Sequence, residues 1–258
     1  HTDEITSVAI SPDGSLALSG SADKTLILWD LASGKVIHSF TGHTGEVHSA
    51  AFSPDGTMIV SGSSDNKLIL WEAVSGKLLH RLGGHLGAVT AVAFSPNGET
   101  ILSGSLDQVL ILWDVASGEP VRRYEGHQDQ VNAVAFSSDG NTAISASGSE
   151  EFFNTTLERV LILWDVTSGG SLRRFEGHTA PVTAVAISPD GKTALSGSSD
   201  MSLILWGLAG SAEIQRFEGH TSAVNSVALS ADGKIALSGS ADTSLILWEV
   251  STGRPINQ

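Results

Sequence analysis

From one end to the other, the chain alternates short β-prone runs with small clusters of turn residues. The first four runs are Ile5 to Ile10, Leu16 to Ser19, Thr25 to Trp29 and Lys35 to Phe40. Between them stand Ser11-Pro12-Asp13-Gly14, Ser21-Ala22-Asp23-Lys24 and Ala32-Ser33-Gly34. Proline presets φ in such turns, and glycine supplies backbone conformations that other residues resist. Runs this short, divided by turn signals, predict four antiparallel strands. The third run is apolar on both faces: Leu26 and Leu28 point one way, Ile27 and Trp29 the other. A sheet with one wet face would alternate apolar with polar. This one needs cover on both sides.

The pattern then repeats. Leu26-Ile27-Leu28-Trp29-Asp30 returns as Leu68 to Glu72, Leu110 to Asp114, Leu161 to Asp165, Leu203 to Gly207 and Leu245 to Glu249, and these copies hold all six tryptophans. Gly42-His43, Gly84-His85, Gly126-His127, Gly177-His178 and Gly219-His220 keep step with them, and His1 opens the first copy. The spacing is 42 residues, stretched once to 51 in the fourth repeat. That period, with Gly-His early and Trp-Asp late, is the sequence signature of a propeller blade. A single blade cannot bury its faces without neighbours, so the repeats predict one domain.

The predicted fold is all-β, a β-propeller of six four-stranded antiparallel blades at about 1–42, 43–84, 85–126, 127–177, 178–219 and 220–258. Small residues recur in the first strands, at Ala9, Ala51, Ala93, Ala135, Ala186 and Ala228, as crowded inner strands require. The fourth repeat carries nine extra residues between its second and third strands, around Gly148 to Arg159, and the fifth ends in Trp206-Gly207 without the acid. The chain starts with His inside a repeat, which suggests a segment of a longer polypeptide.

Across its whole length the chain resembles the WD-repeat β-propeller family, on the Gly-His, turn and Trp-Asp markers just quoted. The resemblance implies a rigid platform for protein–protein contacts, without chemistry of its own. Propellers of this family most often have seven blades and are often latched by an N-terminal strand that completes the last blade. Six repeats that each start at the innermost strand offer no such latch. Closure would rest on packing between the first and sixth blades, and a larger array is the alternative.

Each repeat also places His, Ser, Asp and Trp at fixed offsets. The sets are His1, Ser19, Asp23, Trp29; His43, Ser61, Asp65, Trp71; and His85, Ser103, Asp107, Trp113. They continue as His178, Ser196, Asp200, Trp206 and His220, Ser238, Asp242, Trp248, while the fourth repeat keeps His127, Ser145 and Trp164. There the aspartate position falls in the insertion, and Glu158, six residues before Trp164, can substitute. A Ser/His/Asp hydrolase triad is the sharper reading. Six copies of one nucleophile have no mechanistic use, however, and no Gly-x-Ser-x-Gly elbow frames any of the serines. A structural circuit explains all four types: the serine accepts the indole N–H and donates to histidine, whose other N–H goes to the carboxylate. In the WD-repeat family these positions form such a tetrad. One histidine per blade is too dispersed for a single cation's ligands, and His38, His48 and His80 show no ligand spacing. No metal, cofactor or catalytic residue is expected.

Composition narrows the partners. A formal charge of −14 opposes binding to nucleic acid, which rests on neutralising phosphates, and binding to anionic membrane surfaces. Without cysteine there is no disulfide framework, which suits a reducing cytoplasmic setting. The expectation is a non-catalytic interaction scaffold or sensing module of a larger multidomain signalling protein; the alternative is a structural array that self-associates. In this family, partners dock on the face carrying the Gly-His and second-to-third-strand loops. The positions there include Glu4, Thr6, Glu46, His48, Thr90, Leu106, Gln130, Asn132, Pro181, Thr183 and Ser199. Acid gathers on the first two blades, which suits a partner with a basic segment at Glu4 and Glu46 and an apolar side chain near Leu106 or Phe152. Phe152 and Phe153, adjacent aromatics in the fourth-repeat insertion, are interface candidates.

Overall fold

A computed structural model describes residues 1–149 and 158–257. Among the described residues the regular structure is entirely β, in six four-stranded antiparallel sheets, the blades of a β-propeller. In the first blade the strands are Ile5–Ile10, Leu16–Ser21, Thr25–Asp30 and Lys35–Thr41. Each sheet takes its four strands in sequence order, so every blade is one contiguous stretch of chain. The Pro-Asp-Gly turn between the first two strands needs Gly14 at φ +72°, a region that residues with a Cβ rarely adopt.

The third and fourth strands are out of step at every tryptophan. Leu28 pairs with His38 but Trp29 with Val36, and the same slip falls between Leu70 and Trp71 and at each later copy. One extra residue on the outer strand locally increases twist and re-aims the side chains beside it.

Contacts divide the chain into two compact units, His1–Glu125 with the first three blades and Gly126–Gln258 with the last three. Within each unit, the first strands of successive blades lie beside one another, as the run of alanines anticipates. Where two blades of a unit meet, the earlier one presents what is called here its leading face and the later one its trailing face. In the first unit, Leu18, Leu26, Leu28 and Phe40 on the leading face of the first blade pack against Val47, Ile59, Ile69 and Trp71 on the trailing face of the second. Val60, Leu68, Leu70 and Leu82 repeat that contact against Val89, Ile101, Ile111 and Trp113. The second unit does the same between its first and second blades, and again between its second and third. An outer-strand aromatic meets the next indole edge-on, as where Phe40 and Trp71 have ring centroids 5.4 Å apart. The apolar alternation within one strand is thus one half of a joint whose other half lies a full repeat away.

Glycine makes these joints close. A Cβ at Gly62 would stand 2.6 Å from Val89 Cγ1, and one at Gly197 would stand 2.7 Å from Val224 Cγ1. Only a residue without a side chain admits a neighbouring valine at that depth.

Candidate functional site: hydrogen-bonded tetrads and the blade rim

In the second blade, Trp71 Nε1–H donates to Ser61 Oγ at 3.0 Å, His43 Nε2 lies 2.8 Å from the same oxygen, and His43 Nδ1 lies 2.9 Å from Asp65 Oδ2. An ionised carboxylate only accepts, so Nδ1 carries the proton. In a neutral ring Nε2 is then the acceptor, and the serine hydroxyl donates to it. Burial pushes His43 and His85 below the usual histidine range, against the pull of Asp65 and Asp107, which favours the neutral ring. Burial opposes charge on Asp65 too, but the Thr44 backbone N–H and the His43 imidazole outweigh it and lower its pKa.

The circuit recurs in every blade. His1, Ser19, Asp23 and Trp29 close it in the first blade, and His85, Ser103, Asp107 and Trp113 in the third. His178, Ser196, Asp200 and Trp206 close it in the fifth, and His220, Ser238, Asp242 and Trp248 in the sixth. All these separations lie between 2.7 and 3.0 Å. The carboxylate also accepts the backbone N–H that follows each histidine, as from Thr44 and Thr179. The glycine before each histidine has its own cause: a Cβ at Gly42 would meet Trp71 at 2.8 Å and one at Gly177 would meet Trp206 at 2.9 Å. So the Gly-His marker is an indole-packing requirement joined to a hydrogen-bonding one.

The fourth blade solves the problem differently. Glu158 Oε2 takes His127 Nδ1 at 3.0 Å, the Gln128 N–H at 2.8 Å and the Ser147 hydroxyl at 2.8 Å, while Oε1 takes Arg174 at 2.5 Å. His127 Nε2 and the Trp164 indole meet Ser145 Oγ at 2.6 and 2.8 Å. Burial opposes its charge, yet the donors around it bring the Glu158 carboxyl down to about 2. Asp129 was not foreseen; it is buried and accepts both the backbone N–H and the hydroxyl of Ser149, at the start of the insertion. The equivalent positions in the second and third blades are Gly45 and Gly87, pressed against the next turn, and in the first blade Asp3, which is exposed, so the acid is buried in the fourth blade and not in the first.

These hydrogen bonds leave the tetrad groups engaged with one another, and among the described residues no cluster of His, Asp or Glu could hold a metal ion. The rim beside them is different. Glu4, Glu46 and Leu106 are exposed, while His48 is half-buried. Gln130 is half-buried too and donates to Asn132 at 3.1 Å. Together with Ser149, Pro181, Thr183 and Ser199, these two line a depression of about 330 Å³. The threonines placed on this face are not free to meet a partner. Thr6 bridges the carbonyls of Gly20 and Val47, Thr183 bridges those of Gly197 and Val224, and Thr90 donates to Gly104 O at 3.0 Å. The side chains of Thr6 and Thr183 tie successive blades together. Phe152 and Phe153 lie outside the described residues. His38 and His80 sit against the turns of the following blades, over Gly76 and Gly118.

The family model described as "WD domain, G-beta repeat" matches residues 1–30, 34–72, 76–114, 118–165, 169–207 and 211–249. The chain belongs to the WD-repeat family. Individual WD-repeat relatives match over single repeats. "Small ribosomal subunit protein RACK1z" of Arabidopsis thaliana is 54% identical over 39 residues, 15% of this chain and 12% of the relative. "Protein Mut11" of Chlamydomonas reinhardtii is 51% identical over 39 residues, 15% of this chain and 10% of the relative. "Probable serine/threonine-protein kinase PkwA" of Thermomonospora curvata is 50% identical over 40 residues, 16% of this chain and 5% of the relative. The matched stretch is thus about an eighth or less of the length of these relatives. No helix among the described residues is long and apolar enough to cross a membrane.

Proposed function

We propose that this WD-repeat chain is a non-catalytic protein-interaction module of a larger cytoplasmic protein, and that it meets its partner on the rim of the first three blades. One observation carries this reading. Every tetrad is closed within its own blade, so its nucleophile-like serine and its histidine have structural partners, while Glu4, Glu46 and Leu106 stand exposed on the adjoining rim. The partner is a peptide or protein segment with basic side chains for Glu4 and Glu46 and an apolar one for Leu106. An overall charge of −14 favours that sign and disfavours nucleic acid. The relatives named for the ribosomal subunit and for kinase activity match over one repeat, which is too little to bring their partners or activity here.

A peptide-library selection against the full chain tests this, followed by titration of the best binder against Glu4→Lys combined with Glu46→Lys. Enriched Lys and Arg, with at least a tenfold loss of affinity in the double variant, supports the reading. Unchanged affinity overturns it.

A further inference from the structure

At the strand ends opposite the tetrads, the Asp-Gly and Asn-Gly turns of successive blades interlock. A Cβ at Gly56 would stand 3.5 Å from Pro12 Cδ, one at Gly98 3.5 Å from Pro54 Cδ, and one at Gly233 3.7 Å from Pro189 Cδ. The fourth blade breaks the series, because Ser138 stands where Pro12, Pro54 and Pro189 do. Its hydroxyl donates across the joint to the Pro189 carbonyl at 2.9 Å, and a Cβ at Gly191 would meet nothing within 4 Å. A groove of about 490 Å³ opens there between the fourth and fifth blades. Its neighbour between the fifth and sixth blades keeps Pro189; it is about 410 Å³ and has no leucine in its lining.

The lining of the wider groove joins apolar groups to acids. Leu163 and Leu208 are its buried apolar members, and Ala209 is an exposed one. Asp139 and Asp190 line it as well, and both are exposed. Each carboxylate is only partly used by its own turn. Asp139 accepts the Ser137 hydroxyl at 2.6 Å, the Asn141 N–H at 3.0 Å and Asn141 Nδ2 at 2.9 Å. Asp190 accepts the Ser188 hydroxyl at 2.7 Å and the Lys192 N–H at 3.1 Å, with Lys192 Nζ 3.8 Å away. The serine hydroxyls first, and then the backbone N–H groups, hold both carboxyls below the usual carboxylate range, so both are charged at neutral pH. An ionised carboxylate has about four lone-pair sites, which leaves each of them single sites to offer rather than an open edge. Such sites suit the compact three-donor ammonium of lysine better than the planar fork of arginine. A lysine stem also covers apolar surface while its head stays among polar groups.

We propose that this groove receives a lysine side chain of a partner protein, with its stem on Leu163, Leu208 and Ala209 and its ammonium held by Asp139 and Asp190. Lys192 does not block it, since that side chain is 80% exposed and can swing into water. The exchange of proline for serine makes the site, because a proline at 138 would close over Gly191 as Pro12 closes over Gly56. None of these residues belongs to the rim of the first three blades, so the two readings stand or fall separately.

The test is an NMR titration of the whole chain with a capped Ala-Lys-Ala peptide, read at the amides of Gly191, Lys192 and Ala209. The comparison peptides replace the lysine by norleucine, which keeps the stem without the charge, or by glutamate. Expected are saturable shifts with the lysine peptide, about tenfold weaker binding with norleucine, and none with glutamate. Asp139→Asn should weaken lysine binding about fivefold, Lys192→Gln should strengthen it, and Asp232→Asn in the neighbouring groove should leave it unchanged. Ser138→Pro, which installs the residue of the other blades, should abolish it. Should that variant fail to fold, Asp139→Asn and the norleucine peptide still decide. Equal binding of the norleucine peptide would overturn the proposal, as would lysine binding that Asp139→Asn leaves intact. Shifts spread alike over the turns at Gly56, Gly98 and Gly233 would also overturn it, since they would report only the overall negative charge.

Discussion

Replacing Glu158 by glutamine or alanine separates the charge of the fourth-blade carboxylate from its mere presence. One oxygen, Oε2, accepts three donors, and Oε1 accepts Arg174. An amide has a single acceptor oxygen, so glutamine can hold the three donors only by turning its NH₂ towards Arg174. The Arg174 side chain is 41% exposed and can swing into water, which limits that cost. A carboxyl lowered from 4.5 to about 2 corresponds to about 3 kcal/mol at neutral pH, and water reaching the site from the arginine side reduces this to about 2 kcal/mol. We expect Glu158→Gln to cost about 2 kcal/mol at pH 7. Glu158→Ala should cost more, about 3 kcal/mol, because it strands buried donors.

The pH dependence gives the sharper check. The folded pKa lies below the unfolded one, so the contribution is fully present above about pH 5 and fades as pH falls from 4.5 towards 2. Urea unfolding followed by tryptophan emission at pH 7, 5 and 3 should therefore show the gap between wild type and Glu158→Gln narrowing at the lowest pH. A gap below about 0.5 kcal/mol at pH 7, or one of equal size at pH 7 and pH 3, would refute the reasoning.

Three further outcomes follow from the same geometry. Ser61→Ala strands the Trp71 indole N–H and His43 Nε2 in a buried site and should cost about 2 kcal/mol in urea unfolding, more than Ser19→Ala, whose Trp29 is only half-buried. Equal costs would show that burial does not set the penalty. The imidazoles of His43 and His85 should titrate below 6.5 by NMR. Since the unfolded chain takes up those protons first, their contribution is complete above about pH 7 and declines as pH drops through 6.5, so titration above 6.5 would reverse the sign. Gly62→Ala pushes a methyl to 2.6 Å from Val89 and should lower stability by about 1–3 kcal/mol, whereas Gly239→Ala, with only Leu245 at 3.2 Å, should be near neutral. Matching losses at the two glycines would contradict the hollow-and-valine account.

How much was legible in the sequence depends on range. Ile5–Ile10 and Lys35–Thr41 fall where the runs and turns put them, because strand length and turn chemistry are local. The tetrad offsets were equally legible: 18 residues from His43 to Ser61 and 22 to Asp65 bring those side chains together wherever the hairpins hold the same register. Even Glu158 stood out, since its distance to Trp164 matched that of Asp23 to Trp29. Asp129 gave no such sign. Two of its donors come from Ser149, at the start of the insertion, and the threonines Thr6 and Thr183 look like rim residues until the next blade's carbonyls are placed beside them.

By itself, then, the sequence determined the blade: four strands, a tryptophan on the third, and a serine, histidine and carboxylate to satisfy the indole. Each of these follows from interactions within about forty residues, and a regular period carries them from copy to copy. What only the tertiary structure decided is the fate of each blade's faces. Leu203 and Leu245 read identically in the repeat, yet one is sealed and the other lies in water, because burial belongs to a pair of surfaces and a repeat describes only one of them.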